Sequence, residues 1–300
     1  MRVTQGMLSN NMLRNLSNSY ERMGKYQEQL STGKKISKPS DDPVVAMKGM
    51  SYRTQLTEIE QFSRNVGEVN NWMENSDAAL DKTTDALQRL RELAVQASNG
   101  SYEEGQRGNI AKEVRQLKEH LVDIGNTKVN NKYIFNGNDT TTEPISSTGP
   151  TSAATGDPEV VPSTNTNDVK IEVFSGVSIK TNITPNNVFS DDLFKDIDTF
   201  IGKLEGNVNG DLSDSIGDIA KHIDNTVNAR ADLGSRMNRV ELIEDRIATQ
   251  ELTATKNLSD AEDADMEKVI TNLKTQESIH RAALGVGSRI IQPTLLDFLR

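Results

Sequence analysis

The feature that most constrains this chain is an apolar stripe that starts near Asp42 and does not break until Asn99. Ile59, Phe62, Val66, Val69, Met73, Ser76, Leu80, Thr83, Leu87, Leu90, Ala94 and Ala97 follow one another at alternating steps of three and four. That spacing keeps one face of a helix turned toward a partner. Trp72, Ala79, Ala86 and Leu93 form a second stripe beside it, and a helix with two apolar faces packs on more than one neighbour. Asp42 before Pro43 is a helix start, and Asn99-Gly100 is a stop. About 58 helical residues at ~1.5 Å each span roughly 87 Å. A chain of 300 residues folded as a compact globule is only roughly 50 Å across. The spacing therefore predicts a rod.

The rest of the pattern fits around that helix. Residues 4–32 carry a heptad with Leu13, Leu16, Tyr20, Met23, Gln27 and Leu30, ended by Gly33. A third helix is expected from Glu103 to Val129, with Ile110, Val114, Leu117, Leu121 and Ile124 on one face. Between Gly137 and Pro185 lie five of the eight prolines, through which a helix cannot persist. Inside that segment Val169, Ile171 and Val173 alternate with polar residues, as do Val177, Ile179 and Ile183, and Ser175-Gly176 separates the runs. This reads as a hairpin, entered through a loose polar loop. Helical pattern resumes at Asp191-Asp192, taken as a capping pair, and runs to Leu204. A second long helix is expected over 212–257, and a last one carries Met266, Ile270, Leu273, His280 and Leu284 before an apolar end. The fold class is mainly α: an elongated rod of long antiparallel helices with a small β-rich insertion. The expected domains are terminal helical segments (1–41 and 258–300), a rod core (42–137 and 189–257) and the insertion (138–188).

Composition excludes several functions. The formal net charge is −10, whereas a nucleic-acid binder needs a basic face. Lys34, Lys35 and Lys38 are the densest basic cluster and read as a solvated turn. With no cysteine, disulfides and thiol chemistry are absent. No stretch approaches the ~20 apolar residues of a membrane span, and no signal-peptide core follows Met1-Arg2-Val3-Thr4, so no membrane partner and no conventional export signal are expected. His120, His222 and His280 stand apart without metal-ligand spacing, and Gly33-Lys34-Lys35 lacks the glycine and hydroxyl of a phosphate loop. Neither catalytic nor metal residues, nor any cofactor, are expected.

The terminal stripes are weaker than the central ones. Gln27 lies in the first, and His280, Gly285 and Gly287 lie along the second. Isolated helices are marginal in water. These ends are therefore expected to order against neighbouring copies, through Leu13, Leu16, Tyr20, Met23, Leu30, Leu273, Leu284, Ile291, Leu295, Leu296 and Phe298.

Three runs carry a resemblance. Leu30-Ser31-Thr32-Gly33-Lys34-Lys35-Ile36 with Asp41-Asp42-Pro43 resembles the signature near the start of flagellins and flagellin-like proteins. Ala229-Arg230-Ala231-Asp232-Leu233-Gly234-Ser235-Arg236-Met237-Asn238-Arg239 resembles their segment before the C-terminal helices, and Ser259–Asp265 the region that follows. The likeness covers roughly 1–135 and 190–300. Tyr133-Ile134-Phe135-Asn136-Gly137, the Met1–Thr4 start and the Leu295–Leu299 end are similar to the hook–filament junction branch of that superfamily. Flagellin forming the filament itself is the alternative.

The resemblance implies a structural subunit of the bacterial flagellum, exported unfolded by the flagellar type III apparatus. Its implied partners are hook-associated protein 1, flagellin, copies of itself in a ring and a flagellar export chaperone. The implied chaperone contacts are Leu273, Leu284, Ile290, Ile291, Leu295 and Leu296. The implied location is extracellular, after a transient stay in the cytoplasm.

Overall fold

The structure is a computed structural model that describes residues 5–99, 104–147, 149 and 151–291. In chain order its elements are α1 (Gln5–Thr32), α2 (Pro43–Ser98), α3 (Glu104–Gly125), β1 (Lys128–Val129), β2 (Lys132–Tyr133), β3 (Ile145–Ser146), β4 (Val161–Pro162), β5 (Lys170–Phe174), β6 (Val177–Lys180), α4 (Pro185–Val188), α5 (Asp191–Glu205), α6 (Leu212–Glu262) and α7 (Met266–Ile291). The fold is mainly α, with three two-stranded antiparallel sheets. The chain divides into two compact units, one drawn from residues 1–58 and 249–300, the other from 59–248.

The second unit is built on the heptad seam. Val66, Val69, Met73, Leu80, Leu87, Leu90, Ala94 and Ala97 are fully buried, and the second-stripe residues Trp72, Ala79, Ala86 and Leu93 are buried too. Two seam positions are polar, yet neither is left wanting. Ser76 Oγ donates to Trp72 O and Thr83 Oγ1 to Ala79 O, each at 2.9 Å, so both hydroxyls are satisfied within their own helix. The helix starts as its sequence implies, with Asp42 Oδ1 accepting from the amides of Val44 and Val45. Arg230 on α6 reaches across to α2, donating to Asp77 at 2.7 Å and to Asp81 at 2.5 Å. Between α3 and α5, Lys118 Nζ meets Asp198 at 2.5 Å. Burial, the largest influence on that carboxyl, pushes its pKa up, against the lysine's pull.

Three local expectations need correction. The second long helix, α6, runs on to Glu262 instead of ending at 257. The third helix stops at Gly125, not Val129. Beyond it Asn126 hydrogen-bonds both backbone groups of Ile145 (3.0 and 2.9 Å), and Asn130 and Asn131 both take positive φ, 50° and 64°. That is the two-residue turn of a tight hairpin, so β1 and β2 replace the last helical turn. At α5 the cap is Ser190, whose Oγ accepts from Leu193 N. Asp191 and Asp192 sit in the first turn instead, where they face the positive end of the helix dipole.

The hairpin expected around Ser175-Gly176 is β5–β6, with Ile171 opposite Ile179 and Gly176 at φ 73°. It lies against the helices. The Phe174 ring is 5.9 Å from that of Phe62 and under the Arg246 guanidinium at 4.6 Å, and Asn65 Nδ2 donates to Glu172 O. The polar loop before it is tied as well. Asp139 accepts from the hydroxyls and amides of Thr141 and Thr142. These bonds, the Thr142 hydroxyl foremost, lower its pKa to about 2.

Candidate assembly surface

The first unit is two helices, α1 and α7, joined through short ends of α2 and α6. Its pairing is close but poorly sealed. Gly287 is buried, and a Cβ there would stand 2.5 Å from Met12 Cε, so the glycine lets the helices approach. Around that contact Met12, Leu13, Leu16, Ala283, Leu284, Gly287 and Ser288 line an open, almost wholly apolar groove of about 220 Å³. Deeper in the pair, Ser19 Oγ, Gln276 Oε1 and His280 Nδ1 are buried and hydrogen-bond to no protein group. Each such group costs about 1–3 kcal/mol. The pair therefore gains little from its own interior, and much of its apolar surface stays in solvent.

The residues expected to make subunit contacts divide accordingly. Leu13 (55% exposed), Tyr20 (67%) and Leu284 (49%) are open to solvent. Leu16, Met23, Leu30 and Leu273 are half-buried. The structure brings Leu13, Leu16 and Leu284 to one groove and sets the Tyr20 ring 6.1 Å from His280. Ile290 and Ile291 end α7, but their side chains lie outside the described residues, as do Leu295, Leu296 and Phe298 in full. Exposed Met7, Leu8, Ile279 and Val286 extend the apolar surface. They were missed because each falls outside a strict heptad.

A polar clasp holds this unit's turn. Gly33 takes φ 68°, which ends α1 and lets Lys34 pair with Asp263 as a short antiparallel bridge. Lys35 N donates to Glu262 O at 2.6 Å and Ala264 N to Gly33 O at 2.9 Å. Lys34 Nζ lies 2.7 Å from Asp263 and 3.5 Å from Glu262, and Arg53 lies 2.6 Å from Glu262. The hydrogen bond between them lowers the pKa of Asp263 and raises that of Lys34. Lys34 is thus not the freely solvated turn residue the sequence suggested. The signal was available in part: four acidic residues in Ser259–Asp265 could meet two lysines after Gly33, but nothing in the spacing pairs segments so far apart.

Elsewhere, His222 Nε2 is 2.7 Å from Asp196 and His120 is exposed. Among the described residues no group of three or more His, Cys, Asp or Glu could hold a metal ion, and no helix is long and apolar enough to cross a membrane.

Comparison with known proteins gives the chain's relatives. Residues 3–140 match the bacterial flagellin N-terminal helical region and residues 216–299 the C-terminal helical region. The chain is 26% identical to flagellar hook-associated protein 3 of Escherichia coli strain K12, over 94% of this chain and 95% of that one. It is 24% identical to the protein of the same name from Salmonella typhimurium, with the same coverage. Among solved structures, flagellar hook-associated protein 3 from Legionella pneumophila superposes with a TM-score of 0.62 at 16% identity, over 70% of this chain and 98% of that one. The last comparison bears on the fold alone.

Proposed function

The chain belongs to the flagellin family, and on that basis we propose that it is a structural subunit of the flagellum at the hook–filament junction. The observation that carries this reading is the end-to-end likeness to hook-associated protein 3 from two bacteria. The shape of its surface agrees with it. A junction subunit must present apolar helix faces that stay open until a neighbour arrives, and the α1–α7 groove is such a face. We read the first unit as the polymerising end, stacked on hook-associated protein 1 below and covered by flagellin above, with copies of itself on either side in a ring. The same face on α7, with Leu273 and Leu284, suits an export chaperone that covers it before assembly. The protein acts outside the cell as a scaffold and not as a catalyst.

Imaging a strain that lacks the gene tests this directly. The expected result is hooks without filaments and unpolymerised flagellin in the medium. Normal filaments in that strain would refute the junction role. If the protein were the filament subunit instead, it would dominate sheared appendages rather than appear as a trace.

A further inference from the structure

Two Asn-Gly sequences within the described residues meet opposite environments. Asparagine before glycine is the sequence most open to spontaneous deamidation, because the bare glycine lets its own amide nitrogen reach the asparagine carboxamide. Asn136-Gly137 is closed to this. Asn136 is 2% exposed, and its Nδ2 donates to Thr142 O and Thr142 Oγ1, both at 3.1 Å. Its carbonyl accepts from Asn165 Nδ2 and from Asp139 N, and Gly137 is crowded by Asn167 O and the Asn165 side chain. Neither the side-chain rotation nor the entry of water can occur without local unfolding.

Asn209-Gly210 is the reverse. Both residues are exposed in the short connection between α5 and α6. Among the described residues the Asn209 side chain and the Gly210 amide make no hydrogen bond, while their neighbours do: Asn207 N and Val208 N both donate to Gly202 O, and Ser213 N to Asp211 Oδ1. The connection is thus pinned on each side of a free dipeptide. Gly210 is exposed and holds φ at 155°, so its unbonded amide is free to meet the Asn209 carboxamide.

We propose that Asn209 is a site of spontaneous covalent modification in the folded protein, converting to aspartate and isoaspartate. In the first step Gly210 N bonds to Asn209 Cγ, the Cγ–Nδ2 bond breaks, and the nitrogen leaves as ammonia, carrying the proton lost from Gly210. The product is a five-membered succinimide. Solvent water then opens the ring, at the side-chain carbonyl to give aspartate or at the backbone carbonyl to give isoaspartate. Either product adds a carboxylate two residues before Asp211, whose backbone carbonyl accepts from Lys203 Nζ, itself 3.8 Å from Asp214. Isoaspartate also lengthens the backbone of the connection that leads into α6.

The test is peptide mapping by mass spectrometry after incubating the purified full chain in mildly alkaline buffer, native and in denaturant. Isoaspartate is labelled with an isoaspartyl methyltransferase. Conversion at residue 209 is expected to outrun that at 136 at least about tenfold in the native protein, since the buried site reacts only through local opening. In denaturant the two rates should converge, because both share the same dipeptide. Asn209→Gln should remove the native methyl-acceptor signal of its peptide, and Asn136→Gln should leave it unchanged. Equal native rates, faster conversion at 136, or an unreactive 209 in the native chain would each overturn the proposal.

Discussion

Two glycines on one helix should respond to the same substitution with opposite sign. Glycine in a helix interior costs about 0.5–1 kcal/mol relative to alanine, so Gly67→Ala, whose new Cβ meets nothing within 4 Å, should stabilise α2 by about that amount. At Gly49 the Cβ would stand 2.5 Å from Glu262 Oε1 and 3.1 Å from its Cγ. The carboxylate is the end of a flexible chain, but it is only 7% exposed and is held by Arg53 and Lys34. To yield, it must leave both cations. Because Arg53 and Lys34 are 62% and 40% exposed, those pairs are worth only about 0.2–1 kcal/mol each. Crowding of a packed site adds about 1–3 kcal/mol. The costs exceed the propensity gain, so Gly49→Ala should lower the local opening free energy by about 0.4–4.5 kcal/mol. Native-state hydrogen exchange of α2 amides around each site reads both effects, with about 1.4 kcal/mol appearing as a tenfold change in exchange. In a Glu262→Ala background the penalty at Gly49 should vanish, as a shared contact requires. Equal stabilisation by the two alanines would refute the idea that Glu262 closes on Gly49.

Other expectations follow from burial and charge. Leu80 is wholly buried in the seam, so Leu80→Ala should cost about 2.7–5 kcal/mol, seen as a lower urea midpoint. Leu13→Asp with Leu284→Asp alters exposed positions and should leave the melting curve of the monomer nearly unchanged while abolishing assembly at the hook tip; a collapse of monomer helicity would place them in its core instead. Asp139, with its pKa lowered from 3.8 to about 2, contributes stability that is complete above pH 3.8 and is lost as pH falls toward 2. Its carboxyl carbon shift in an NMR titration should therefore move only near the lower value, and Asp139→Ala should remove the acid-range change in the 139–142 loop.

The helical part of the fold was legible because its cause is periodic. A stripe repeated from Ile59 to Ala97 needs no knowledge of its partner to be read as a buried face, and every member of it from Val66 onward is buried. The errors fall where a side chain outbids the local pattern. Asn126 takes the backbone of Ile145, nineteen residues on, and no window of sequence around Val129 contains that information. Ser190 rather than Asp191 caps α5 because the cap is decided by one residue's extended backbone, to which composition is blind. At the proposed assembly surface, the heptad picks out Leu13, Leu16 and Leu284, which line one groove. It does not pick out the exposed Met7, Leu8, Ile279 and Val286, because an outward apolar side chain owes nothing to the monomer's packing.

That difference bears on what the resemblance motifs record. Leu30–Ile36 and Ser259–Asp265 meet each other at the clasp, where Gly33 must adopt positive φ and Lys34 must find Asp263. The run from Ala229 to Arg239 supplies Arg230, which joins α6 to two aspartates on α2. Tyr133–Gly137 buries Ile134 and Phe135, the latter edge-on to Phe189 with ring centroids 5.1 Å apart. Each of these four motifs is thus an internal joint, with a geometry that few residues satisfy. The exposed faces of α1 and α7 face a looser demand, since any sufficiently apolar side chain contributes to a helix-docking surface. Substituting within a motif should therefore damage the monomer, and substituting an exposed face should damage only the assembly. Arg230→Ala and Leu13→Asp, compared for thermal stability and for incorporation at the junction, separate the two classes; equal destabilisation of the monomer by the two would overturn the division.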